Sequence, residues 1–144
     1  MKSVKQILKN KGTDVHSISP EATVFEALQL MAEKEVGALM VINNGKIEGI
    51  LSERDYARNV ALKGRSSKDA PVKEIMSSGV IYVDPSNSAE ECMALMINKK
   101  IRHLPVLQDE KLAGIISIGD VVKAVIDEKE ILINELENYI TGRG

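Results

Sequence analysis

Two four-residue strings carry the polar chemistry of this chain, Ser52-Glu53-Arg54-Asp55 and Ser117-Ile118-Gly119-Asp120. Each follows a short apolar run that holds a glycine: Gly49-Ile50-Leu51 in one case, Gly114-Ile115-Ile116 in the other. A serine followed three residues later by an aspartate opens a helix. The hydroxyl accepts an orphan N–H of the first turn, and the acid sits where the helix dipole favours it. That device is purely structural, and either copy taken alone reads that way. The setting adds a second use. A strand that passes straight into a helix leaves free N–H groups and a partial positive charge at the edge of a sheet, and these attract phosphate. A carboxylate only accepts hydrogen bonds and so matches the two hydroxyls of a cis-diol, while a serine hydroxyl can donate to a phosphate oxygen. The two uses are compatible.

The strings are copies of one another. Residues 20–55 and 85–120 align without a gap at an offset of 65, with 12 of 36 positions identical, among them Leu39/Leu104, Val41/Val106, Gly49/Gly114, Ser52/Ser117 and Asp55/Asp120. The match extends backwards at an offset of 68, where Val4-Lys5-Gln6-Ile7-Leu8 resembles Val72-Lys73-Glu74-Ile75-Met76. Two copies of this length do not make a solenoid. They suggest a pseudo-twofold sandwich in which each half covers the other's open face.

The elements that must position the strings follow from pattern. Residues 3–9 read as a short helix, broken at Lys11-Gly12-Thr13. A strand over 15–18 closes at Pro20. Thr23 and Glu26 form a capping box opening a helix with Ala27, Leu28, Leu30 and Met31 inward. Ser88 and Glu91 repeat it before Cys92, Met93, Leu95 and Met96. Strands over 38–42 and 47–51 flank Asn43-Asn44-Gly45, a hairpin turn. Strands over 103–107 and 112–116 repeat the hairpin with less suitable turn residues, and Pro105 places its strand at an edge or with its N–H side exposed. A helix runs from about Glu53 to Leu62, and a linker over 64–71 carries Gly and Pro. The last helix starts near Ile118 and continues to about Tyr139. Its apolar residues beyond Ile131 are expected to pack on the N-terminal helix or on a second subunit, and their heptad fit is poor.

Composition narrows the classes. The 144 residues, 44% hydrophobic and 28% charged, describe a single ordinary globular chain rather than a disordered one. No apolar run approaches the roughly 18 residues of a membrane span, and the N-terminus has no signal-peptide pattern. Cys92 is the only cysteine, so an intrachain disulfide is excluded and a small core residue is expected. A cytoplasmic location fits. A net charge of −2, one phenylalanine and no tryptophan speak against nucleic-acid binding. His16 and His103 have no neighbours at metal-ligand spacing, and no nucleophile–base pair, Walker loop or GxGxxG is present, so neither a metal site nor an enzyme is expected.

With Arg102-His103-Leu104-Pro105-Val106 and Gly114-Ile115-Ile116-Ser117-Ile118-Gly119-Asp120, the doubled strand–helix–strand–strand–helix pattern resembles a tandem cystathionine-β-synthase (CBS) domain pair. Such a pair is also called a Bateman module, here of the stand-alone bacterial or archaeal type. The resemblance spans essentially the whole chain. It implies an α/β fold of two pseudo-twofold-related β-α-β-β-α motifs packed sheet to sheet. Motif 1 covers 1–64 with the N-terminal helix, and motif 2 covers 65–144 with the linker and C-terminal helix. It also implies adenine nucleotides in clefts between the halves, and a homodimer.

By the same resemblance Asp55 and Asp120 hold ribose hydroxyls, and Ser52 and Ser117 meet phosphate. Arg102, His103, Leu104 and Pro105 line the adenine of the second site, with Met76, Val80 and Ile81 opposite. The first copy departs from this pattern, since Gly37-Ala38-Leu39-Met40 stands in place of Arg-His-Leu-Pro; there Ile18, Ala38 and Met40 would form an apolar wall. Arg54 and Arg58, one helical turn apart, begin a basic stretch with Lys63, Arg65 and Lys68. That stretch is either a solvated face or a phosphate clamp, and the clamp would suit a dinucleotide or ATP at the first site and AMP at the second. The implied role is a sensor of adenosyl ligands (AMP first, then NAD(H), ATP or S-adenosylmethionine) that signals to an unknown effector protein through shape or affinity. The alternative is a structural dimerisation domain with vestigial pockets.

Overall fold

The computed structural model describes residues 2–141. In chain order the elements are α1 (Val4–Lys11), β1 (Ser17–Ile18), α2 (Val24–Lys34), β2 (Ala38–Asn43), β3 (Lys46–Ser52), α3 (Glu53–Tyr56), α4 (Val72–Ile75), α5 (Ala89–Lys99), β4 (His103–Gln108), β5 (Lys111–Ser117) and α6 (Ile118–Thr141). The fold is α/β, with one three-stranded sheet ordered β1-β2-β3 and one two-stranded sheet, β4-β5. None of the described helices is long and apolar enough to cross a membrane.

The chain forms two compact units, and they interleave the sequence repeats. Residues 15–80 make one; residues up to Asp14 and from Ile81 onward make the other. In the first, Leu39, Val41 and Leu51 of the hairpin pack with Met31 of α2 and with Val72 and Ile75 of α4. In the second, Leu104, Val106 and Ile116 pack with Met96 of α5 and with Val4 and Ile7 of α1. Each short helix that precedes a motif in sequence is therefore built into the core of the other motif's hairpin.

The duplication holds at atomic detail. Both hairpins shift register at matched positions, Val41/Ile42 and Val106/Leu107. Both α2 and α5 end on a left-handed residue, Glu35 and Lys100. A Cβ on Gly49 would stand 2.8 Å from Met76 Sδ, and one on Gly114 would stand 2.7 Å from Leu8 Cδ2. Met76 and Leu8 are partners at the offset of 68, so each glycine admits the same incoming helix.

Several local expectations change. Ser88 and Glu91 form the reciprocal capping box, whereas at Thr23 only the forward bond from the Glu26 N–H, 3.1 Å, is made among the described residues. The helix expected from Glu53 to Leu62 is α only to Tyr56; a π-helical turn, Ala57–Ala61, carries it on through the bond from Leu62 N–H to the Ala57 carbonyl. Asp109 and Glu110 occupy the left-handed region at φ 52° and 65°, doing in the second hairpin what Asn44 and Gly45 do in the first.

Pro105 explains why the second sheet is smaller. In the first unit the Met40 N–H donates to the His16 carbonyl (3.0 Å), which helps pair β1 alongside β2. Pro105 stands at the matching position without an N–H. Among the described residues only Val83 bridges to β4 there, donating to the Pro105 carbonyl and accepting from Leu107, both at 3.0 Å. The Ile81 carbonyl, counterpart of that of His16, takes no main-chain hydrogen bond among the described residues.

Cys92 is fully buried, and burial with the Glu91 charge pushes its thiol up to about 11, so it stays protonated and inert at neutral pH. Along α6, Ile131, Leu132, Ile133, Leu136, Tyr139 and Ile140 are each at least half exposed, so packing of this stretch on the N-terminal helix does not occur.

Candidate functional site

Each hairpin delivers its second strand into a helix through a serine in extended conformation, Ser52 at φ −119° and ψ 164°. The Ser52 N–H donates to Asp55 Oδ2 at 2.8 Å, the Ser52 hydroxyl donates to the same oxygen at 3.0 Å, and the Asp55 N–H donates back to Ser52 Oγ at 3.3 Å. The second copy repeats this: Ser117 N–H to Asp120 Oδ2 at 2.8 Å, the hydroxyl at 2.9 Å, and Asp120 N–H to Ser117 Oγ at 3.3 Å. Both strings are therefore complete capping boxes. The cap engages one carboxylate oxygen in each. Oδ1 of Asp55 and of Asp120 takes no hydrogen bond among the described residues, and a carboxylate offers about four acceptor sites.

The flanking strands place the other expected residues. In the first unit Ala38 pairs with Ser52, Met40 with Ile50 and Ile18 with Val41. Ala38 is beside the motif, and both it and Met40 are buried. In the second unit His103 pairs with Ser117, Leu104 with Ile116 and Pro105 with Ile115. His103 is half-buried next to the motif, Arg102 is exposed, and Leu104 and Pro105 are buried. The entry to each helix is tied to the start of the hairpin, Glu53 N–H to the Gly37 carbonyl (3.0 Å) and Ile118 N–H to the Arg102 carbonyl (2.8 Å). Met76 and Val80 fall in the unit of the first motif, where Met76 meets Gly49; Ile81 begins the other unit.

Two members of the basic stretch have partners of their own. Arg65 pairs with Glu74 at 2.8 Å, and Lys68 lies 5.0 Å from the centre of the Phe25 ring. Arg54 stands in α3, while Arg58 is exposed in the π-helical turn, where regular one-turn spacing no longer applies. A cleft of about 340 Å³ beside the first motif is lined by Leu28, Met31, Val36, Gly37, Glu35 and Glu53, and its two acids make it poor for phosphate.

Lys11 is the residue that the sequence pattern did not single out. Its ammonium donates to Asp120 Oδ2 at 2.6 Å and to the Ile115 carbonyl at 2.9 Å. Burial works to raise the Asp120 carboxyl, but the hydrogen bonds from Lys11 and Ser117 and the Lys11 charge outweigh it and hold the group below the usual aspartate range. With its folded value depressed, Asp120 adds stability above its unfolded value near 3.8 and loses it as pH falls through the folded one. The available signal lay in the backward repeat, which sets Lys11 against Gly79. Among the described residues no His, Cys, Asp and Glu cluster could hold a metal.

The family model for the CBS domain matches residues 4–62 and again 72–127. The chain belongs to the CBS-domain family. It carries the domain twice, in tandem. YhcV, a CBS domain-containing protein of Bacillus subtilis, is 36% identical over 142 residues, covering 99% of this chain and 91% of that one. The structure of a CBS-domain protein from Burkholderia ambifaria superposes with a TM-score of 0.84 at 51% identity, over 88% of this chain and 95% of that one. The CBS domain pair of protein MJ0100, solved with methylthioadenosine and S-adenosylmethionine, shares the fold at 22% identity with a TM-score of 0.76, over 89% and 98% of the chains.

Proposed function

We propose that this CBS pair is a regulatory module that binds adenosyl ligands at its two Ser-x-x-Asp strand exits. The supporting observation is that in both exits the cap engages only Oδ2, leaving Oδ1 of Asp55 and Asp120 to accept a ribose hydroxyl. The capping serine and the first-turn N–H groups then face an anionic tail. At the second exit the unengaged Ile81 carbonyl is an acceptor suited to an amino group such as adenine's, with half-buried His103 beside the motif. AMP is the first ligand expected; NAD(H), ATP and S-adenosylmethionine follow. The ligands held by the MJ0100 pair support this at the level of the fold. The module acts without catalysis, through shape or affinity for an effector protein. It pairs as a homodimer, which the exposed apolar residues of α6 support.

One observation favours a structural dimerisation domain instead: Lys11 already pairs with Oδ2 of Asp120. Calorimetric titration separates the two. The expected outcome is saturable AMP binding. No heat above dilution with AMP, ATP, NAD or S-adenosylmethionine rejects the sensor and leaves the dimerisation domain.

A further inference from the structure

We propose that Lys11 sets the charge preference of the second exit, selecting an adenosyl ligand that carries an anionic group over its neutral nucleoside. This rests on the ligand class given under Proposed function and adds which member of it the second exit prefers. The ammonium has three N–H donors, and two are used, on Asp120 Oδ2 and the Ile115 carbonyl. The third has no acceptor among the described residues, and Lys11 lines a cavity of about 220 Å³ whose charged lining is Lys2, Lys11, Lys123, Asp120 and Asp127. Three cations against two carboxylates leave this wall net positive, and the two carboxylates are already engaged, Asp120 by Lys11 and Asp127 by Lys2 at 3.7 Å. A phosphorylated ligand gains the free donor and the unbalanced charge. A neutral nucleoside gains neither.

The first exit lacks this device. At the offset of 68 the residue matching Lys11 is Gly79, which has no side chain. The carbonyl that Lys11 covers in the second unit, Ile115, corresponds to Ile50, and there the Ser77 N–H does the covering at 2.9 Å. A main-chain amide has thus taken over one of the two bonds, and no lysine stands at the repeat position to engage Asp55.

The test is calorimetry with AMP and with adenosine on the full chain, on Lys11→Gln and on Lys11→Arg, with thermal unfolding recorded for each. To read the second exit alone, all three are also made in an Asp55→Ala background. Lys11→Gln is expected to lower the ratio of AMP to adenosine affinity about tenfold, and Lys11→Arg to keep it near wild type. Equal changes for both ligands, or none, in a wild-type-stable Lys11→Gln overturn the proposal while leaving the binding site standing. If Lys11→Gln does not fold, Lys11→Arg decides: loss of the AMP preference there overturns it. A wild-type chain that binds neither ligand overturns the binding site itself, and this proposal with it.

Discussion

Gly49→Val is expected to destabilise the protein by about 3 kcal/mol or more, from overpacking and broken main-chain hydrogen bonds together. A Cβ at this position would lie 2.7 Å from the Ser77 carbonyl oxygen and 2.8 Å from Met76 Sδ. The sulfur can move. The carbonyl cannot, because Ser77 and Ile50 exchange two main-chain bonds, at 3.0 and 2.9 Å. Making room means breaking that bridge, at about 1 kcal/mol for each bond. Gly114→Val is the internal control, since the atoms nearest its Cβ belong to the Leu8 side chain and not to the backbone. That variant is expected to cost about 1–2 kcal/mol. Urea unfolding followed by circular dichroism measures both. Equal losses in the two variants would mean that the strand–backbone contact at Gly49 does not constrain the fold.

Asp55→Ala and Asp120→Ala are each expected to weaken AMP binding at their own exit about tenfold or more, the value of a hydrogen bond to a charged group. Together they are expected to remove binding from the calorimetric range. Stability falls less. The serine hydroxyl still caps the helix, so the loss is that of a first-turn acid, about 0.3–1 kcal/mol. Asp120→Ala also frees Lys11, a partly exposed pair worth about 0–1 kcal/mol. Binding loss well beyond the stability loss separates a ligand role from a capping role. Unchanged affinity in both single variants would leave the capping box as the whole purpose of these residues.

Much of this was legible because the chain states it twice. The paired glycines, the strand exits and the cap residues repeat in register, and repetition turned an ambiguous helix start into a recognisable unit. What repetition could not show is which hairpin each short helix joins. Val4–Leu8 and Val72–Met76 carry the same apolar pattern toward the same kind of glycine, so either could in principle pair with either hairpin. The π-helical turn had no signal either, for Ala57-Arg58-Asn59-Val60-Ala61 contains no breaker. Lys11 was hidden by its neighbour: beside Gly12 it read as part of a loop, although its side chain reaches 109 residues along the chain to Asp120. Pro105 signals a strand at an edge or with its N–H side exposed, and it stands in β4 of the two-stranded sheet, where Val83 makes only an isolated bridge.

The most direct check of ligand binding at the twin exits is an AMP titration of isotope-labelled protein followed by amide chemical shifts. The largest changes are expected at Ser52 to Asp55 and Ser117 to Asp120, with smaller ones at Ala38 and His103 across each hairpin. Saturating shifts confined to other surfaces, or no shifts at all, would contradict the account.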